Sequence, residues 1–219
     1  YTIAYVASPE ITIDGKLKES VYDTLEPISQ WWLISADRQK ARKVPRKFAT
    51  SIRMLHNSNW LYIAIQARDP QMETFRARFR KRDSAVWRDD SIELFFSAKD
   101  VRAYSQWAFN VIGGIMDLRH VELDVSPTDG ITGGRQITEG FTTDAACRGL
   151  TGEEGWRMEV KIKLQDIPGV TPPCRNVVVP GNIRRLLGEQ DDKPSRIISW
   201  MRHRTNAHSP QKFNLFRFE

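Results

Sequence analysis

Arg157-Met158-Glu159-Val160-Lys161-Ile162-Lys163-Leu164 sets an apolar side chain at every second position and a charged one between. Successive side chains of a strand point to opposite faces, so this octapeptide reads as a strand with one core face and one wet face. Trp60–Arg68 (WLYIAIQAR) alternates in the same way and gathers Leu61, Ile63, Ile65 and Ala67 on one side. Just before it, in residues 48–56, Thr50, Ile52 and Met54 share a face. Asn57-Ser58-Asn59 separates these two runs with turn chemistry, which predicts a hairpin.

Working outward, Ser91–Ser97 (SIELFFS) and residues 104–112 (YSQWAFNVI) form a second predicted pair across a polar connection. Gly113-Gly114 marks the next turn, and a further strand begins at 115–118. Later strands are expected at 135–143, 176–187, 196–203 and 213–218. Short strands separated by turn signals specify a sandwich or barrel. Helix signals are confined to 17–25, one short helix, and 71–82, which reads as a second helix or a loop. The expectation is one all-β domain over residues 1–219, a two-sheet antiparallel sandwich of immunoglobulin-like or jelly-roll type with one or two short helices.

The 219 residues include 40% hydrophobic ones, with 7 Trp and 10 Phe, a globular composition able to fill a core. No run approaches the roughly 18 apolar residues that cross a bilayer as a helix. The chain opens at Tyr1 with no Met and no visible signal peptide, and reads as a processed or trimmed chain whose missing segment could have carried an address. Net charge is +6, concentrated in 38–47 (RQKARKVPRK) and 76–82 (RARFRKR). These read as solvated loops or as a footprint for an anionic partner. The two cysteines, Cys147 and Cys174, form no CxxC, and spacing alone leaves both a disulfide and two free thiols open.

Alternation also decides which polar groups cooperate. Glu93 points away from Ile92 and Leu94, and Gln106 and Asn110 share a face that pairing brings to Glu93. Trp87 precedes the first of these strands on a loop. An aromatic plate beside a carboxylate and amides suits a pyranose, whose C–H face stacks while its hydroxyls need fixed partners.

At this point the chain resembles carbohydrate-binding module family 9 and its relatives. The resemblance rests on Ile11-Thr12-Ile13-Asp14-Gly15-Lys16-Leu17, Trp60-Leu61-Tyr62-Ile63-Ala64 with Asp69-Pro70, and above all Val86-Trp87-Arg88-Asp89-Asp90-Ser91-Ile92-Glu93-Leu94-Phe95. Gln106 and Asn110, Gly155-Trp156, Asn182 to Arg185, Ile198-Ser199-Trp200 and Pro210-x-Lys212-Phe213 follow in the family's order. It implies an entry strand at 11–17 and sugar contacts at Trp87, Glu93, Gln106, Asn110, Arg185, Asn206 and His208, with Asp90 bracing the loop. Where the family carries a second aromatic plate, this chain has Ala207 and His208. The resemblance implies a non-catalytic module for a poly- or oligosaccharide, secreted, periplasmic or at the cell surface, within a polysaccharide-degrading system such as one acting on xylan. Basic loops extend this to acidic glycans. No nucleic acid or membrane insertion is expected, and the oligomeric state stays open.

Family members often hold structural calcium; Asp83, Asp89, Asp90, Asp117, Asp124 and Asp144 show no calcium-loop spacing, so a structural calcium stays open with no ligand assigned, and no other cofactor is called for. Catalysis is the first rival. Asp89, Asp90 and Glu93 lie too close in sequence to flank a glycosidic bond, and no GxSxG, P-loop or HExxH is present. Haem binding through two of Met54, Met116, Met201, His120 and His203 is the second, with no spacing that selects a pair. A basic interaction module for nucleic acid or membrane, read from Arg76-Ala77-Arg78-Phe79-Arg80, is the third, with no RNP-like or helix-turn-helix signature, and an interaction domain without a sugar site is a further alternative.

Overall fold

The computed structural model describes residues 1–34, 40–121, 123–126, 130–134, 141–188, 196–202 and 208–219, with backbone alone at 123–126 and 130–134. The strands are β1 (Thr2–Tyr5), β2 (Trp32–Ile34), β3 (Ala41–Lys43), β4 (Thr50–His56), β5 (Trp60–Arg68), β6 (Ser91–Ser97), β7 (Tyr104–Asn110) and β8 (Ile115–His120). They continue as β9 (Leu123–Ser126), β10 (Gly130–Gly134), β11 (Ala145–Gly152), β12 (Gly155–Lys163), β13 (Val177–Leu187), β14 (Arg196–Ser199) and β15 (Asn214–Phe218).

The predicted hairpin forms as β4 and β5, with Thr50 opposite Ala67 and His56 opposite Leu61. β12 adds to the far side of β5 and β11 to β12, completing one sheet in the order β11-β12-β5-β4-β1. The second sheet runs β8-β7-β6-β13. The other edge of the long strand β13 pairs with β15 through Val177 to Gly181 and with β14 through Arg184 to Leu187. β2 and β3 extend the sheet beyond β14. β1 laces the two sheets together: Thr2 and Ile3 pair in parallel with β15, and Ala4 and Tyr5 pair in parallel with β4. The result is an all-β sandwich of the expected class.

The alternation seen in sequence becomes the core. Leu61, Ile63, Ile65, Met158, Val160 and Ile162 from one sheet meet Ile92, Leu94, Phe96, Trp107, Phe109, Ile183, Ile198 and Phe216 from the other, all fully withdrawn from water. Burying side chains of this size contributes roughly 1.5–3 kcal/mol each against the entropy of folding.

Several expectations need correction. Residues 11–17 form no strand; Asp14 and Gly15 sit in a bend whose backbone N–H groups donate to Glu159 Oε2 at 3.0 and 2.7 Å. The short helix expected at 17–25 shrinks to a 3-10 turn at Ser20–Thr24, and 71–82, open to helix or loop, is a loop with one 3-10 turn at Met72–Thr74. The basic run 76–82 fails to coil because its backbone is claimed by carboxylates: Arg76 N donates to Asp90, and Arg78 N and Phe79 N donate to Asp89. Its Arg78 and Arg82 side chains pair with Asp89 and Asp117, so part of the run is structural. Residues 141–144 carry no strand, and 135–140 lie outside the described residues. β11 went unforeseen because AACRGLTG is small and polar, with only Cys147 and Gly149 buried. Cys147 and Cys174 are both buried free thiols.

Candidate binding face

One face of the second sheet packs into the core, and its opposite face carries the polar residues. Cross-strand neighbours share a face, so register defines one row across it. Lys43 lies opposite Trp32, Trp32 opposite Ser199, Ser199 opposite Arg184, Arg184 opposite Glu93, and Glu93 opposite Ala108. In the next row Asn182 lies opposite Phe95 and Phe95 opposite Gln106.

Glu93 and Gln106 meet as the alternation predicts. Gln106 Nε2 donates to Glu93 Oε1 at 2.9 Å, and Arg184 reaches the second carboxylate oxygen at 3.3 Å. Both residues are almost withdrawn from solvent, at 4% and 6% exposure. Burial raises the Glu93 carboxyl above the usual carboxylate range, while Arg184 and Gln106 act in the opposite sense. Gln106 Oε1 faces His120 Nε2 at 3.4 Å, so a neutral His120 with its proton on Nε2 completes a donor chain from His120 through Gln106 to Glu93.

Trp87 and His208 flank this group. Trp87 sits in the short 3-10 turn Val86–Arg88 with its indole 43% exposed. Val86 packs on Ala108 and Met116, which sets the turn over the same face. On the other side His208 Nδ1 lies 2.6 Å from the Tyr104 hydroxyl, and its ring stands edge-on to Phe95 at 6.1 Å. Tyr104 in turn stacks on His120 at 4.2 Å. Burial lowers the His120 pKa to about 4.

The structure separates the other expected residues from this group. Asn110 shares the face but is fully buried as a turn clamp: its amide donates to Phe79 O at 2.7 Å and Asp89 Oδ2 at 3.0 Å, and its oxygen accepts Gly114 N at 2.7 Å. A Cβ on Gly114 would lie 2.0 Å from Phe79 O, so only glycine admits this approach. Arg185 points the opposite way, into the sandwich. Its guanidinium is wholly buried, donating to Asp69 Oδ2 at 2.7 Å, Arg68 O at 2.8 Å and Phe48 O at 3.2 Å. Asn182 and Arg185 are an odd number of positions apart on one strand, so they cannot share a face; Arg184 is the arginine beside Asn182. Asn206 lies outside the described residues. Asp90 is buried beneath the Trp87 turn with its pKa raised to about 6 by desolvation, and accepts Arg76 N at 2.8 Å.

Two of the carboxylates considered for calcium, Asp89 and Asp117, are occupied by protein donors. Asp89 serves Arg78, Phe79 and Asn110, and Asp117 takes a two-pronged contact from Arg82 at 3.0 and 2.7 Å besides the Thr143 N–H. Oxygens already turned to N–H groups fit a cation poorly. Among the described residues no three His, Cys, Asp or Glu side chains are grouped to hold a metal ion. The Asp124 side chain and His203 lie outside the described residues. Of the other haem candidates, Met54 belongs to the inter-sheet core, Met116 packs under Val86, and Met201 packs with Phe95, Tyr104 and Phe213. No helix among the described residues is long and apolar enough to cross a membrane. A groove of about 230 Å³ lined by Gln66, Arg68, Leu150, Glu154 and Arg157 belongs to the first sheet and involves none of the polar face.

An all-β sandwich with an aromatic-flanked polar face defines a binding module. The chain belongs to the carbohydrate family 9 binding domain-like family, whose model matches residues 13–214 and whose members are non-catalytic binding modules. A structure from Bacteroides uniformis ATCC 8492, described as a carbohydrate-binding protein, is similar at 16% identity and TM-score 0.69, covering 100% of this chain and 98% of that one. A carbohydrate-binding module of family 9 from Caldicellulosiruptor kristjanssonii is similar in its glucose complex at 15% identity and TM-score 0.64, covering 100% of this chain and 96% of that one. Its cellotriose complex gives 15% identity and TM-score 0.63, covering 100% and 94%. No curated protein sequence matches the chain.

Proposed function

We propose that the polar face of the second sheet binds a poly- or oligosaccharide, without catalysis, as a module of a secreted glycan-degrading system. The observation that carries this reading is the exposed Trp87 in a turn whose Val86 packs on the face where Glu93, Gln106 and Arg184 are linked, with His208 held beside Tyr104 on that face. A sugar ring stacked on Trp87 loses little entropy to a plate with two side-chain torsions, and the linked polar groups orient its hydroxyls. The family 9 modules that share this fold are complexed with glucose and cellotriose, which sets cello-oligosaccharides as the first ligands to try. His208, smaller than an indole, supplies the second plate, and the positive chain favours glycans that carry acid groups.

The test is binding to an array of plant and acidic polysaccharides, repeated with Trp87→Ala. Because Trp87 is exposed, its removal should leave thermal stability unchanged while binding falls by at least about tenfold. Equal binding by wild type and variant removes Trp87 from the site.

A further inference from the structure

The row of side chains that contains Glu93 does not stop at Arg184. It continues across Ser199 to Trp32, at a register distance of three strands, or about 14 Å at the usual inter-strand spacing. Trp32 is half-exposed, unlike its neighbour Trp31, which is buried in the core. The guanidinium of Arg202 lies over the Trp32 ring, 4.6 Å from its centroid, and Lys43 stands opposite Trp32 on β3. Arg202 is exposed and makes no carboxylate ion pair among the described residues. A guanidinium laid on an indole keeps its N–H edge outward in a planar fork, and that fork matches a carboxylate or sulfate group.

We propose that Trp32, Arg202 and Lys43 form a second subsite for an acidic sugar of the same glycan chain that meets Trp87 and Glu93. The subsite rests on the glycan-binding reading above and sharpens it. The ligand is then an oligosaccharide several rings long bearing carboxylate or sulfate groups, lying across the strands. Ser199 and Asn182, hydrogen-bonded to each other at 3.4 Å, form the floor between the two ends. A single neutral sugar would engage the Trp87 end alone.

The test compares hexagalacturonate, a kappa-carrageenan hexasaccharide, which carries sulfate and no carboxylate, cellohexaose and monomeric glucose by titration calorimetry with the whole chain. Wild type should bind one of the two acidic hexamers more tightly than cellohexaose, and which one identifies the anionic group. Trp32→Ala and Arg202→Gln should each weaken that hexamer by about tenfold and leave the monomer unaffected. Arg202→Gln should also flatten the salt dependence. Trp32→Phe, which keeps a plate, should restore most of the loss and stands in if Trp32→Ala unfolds. If Trp87→Ala weakens the hexamer but neither Trp32→Ala nor Arg202→Gln does, the second subsite is wrong and the first site stands. If cellohexaose binds as tightly as both acidic hexamers, the subsite is not acid-specific and the proposal falls. If no saccharide binds, or Trp87→Ala changes nothing, the glycan-binding reading itself fails.

Discussion

Tyr104 holds two histidines at once: its hydroxyl lies 2.6 Å from His208 Nδ1, and its ring stacks on His120 at 4.2 Å. The two imidazoles are 5.5 Å apart at their centroids, so protonating both would set two cations together in a largely dry place. His120 is 3% exposed, and burial, reinforced by His208, holds its pKa at about 4 against the ordinary 6.5.

A folded-state pKa below the unfolded one means that the unfolded chain binds more protons between these values. Stability from a neutral His120 is therefore full above pH 6.5 and is lost as pH falls toward 4. At pH 5 the loss is about 2 kcal/mol. His120→Phe, which preserves the stack on Tyr104, should narrow the gap between urea midpoints at pH 7.5 and pH 5. Asp90, raised to about 6, shifts stability the opposite way over the lower part of this window in both proteins, so it cancels in the comparison. An unchanged gap would show that His120 protonates freely in the folded domain.

The adjacent arginines of β13 should separate stability from binding. Arg185→Met strands Asp69 in the interior and leaves the Phe48 and Arg68 carbonyls without their donor, at a cost of about 3–5 kcal/mol. Arg184→Gln breaks a largely buried pair, but Glu93 keeps its Gln106 donor and a carboxyl already raised by burial can take up a proton, so the cost should be smaller, about 1–3 kcal/mol, while glycan binding weakens. Denaturant midpoints and calorimetry on both variants decide it; equal destabilisation would contradict the opposed orientation.

Asn110→Ala should act through the fold. It removes two donors and an acceptor that tie the 113–114 turn to Phe79 and Asp89, and Asp89 anchors the end of the Trp87 turn. We expect a loss of about 2–4 kcal/mol, seen as a lower melting temperature, with saturating ligand still bound by the folded fraction. A variant of normal stability that no longer binds would place Asn110 among the ligand contacts.

Much of the sandwich was legible because alternation is a local signal that burial enforces. Met158, Val160 and Ile162 face the core as their spacing requires, and the meeting of Glu93 with Gln106 followed from parity together with the expected pairing of their strands. The same parity contained the warning on Arg185: an Asn-x-x-Arg motif read as one site ignores that odd offsets change face. Asn110 was read as a ligand contact and not as a turn clamp for another reason. Its role is set by Gly114 and Phe79, and a turn's closest approach leaves no periodic trace. The bend at Asp14 is likewise fixed by a distant partner, Glu159, that no window around it contains, whereas β11 is the hairpin neighbour of β12, with Gly152 opposite Gly155, and lacked only an alternating apolar pattern. Trp32 gave no signal until register placed it in the row with Arg184.

The lacing strand β1 also settles how the domain carries load. Tyr1 and β15 exchange backbone hydrogen bonds, Tyr1 N to Leu215 O at 2.9 Å and Arg217 N to Tyr1 O at 2.9 Å, while Glu219 N reaches Ile3 O at 3.1 Å. Because these strands run parallel, tension applied at residues 1 and 219 is directed along them, and the bonds are sheared together instead of being peeled apart in turn. Pulling in an optical trap should therefore break the domain at a higher force through its ends than across the β2–β3 hairpin; equal forces would refute it. Tethered in this way, the module would hold its grip on an immobile substrate while the rest of a chain moves.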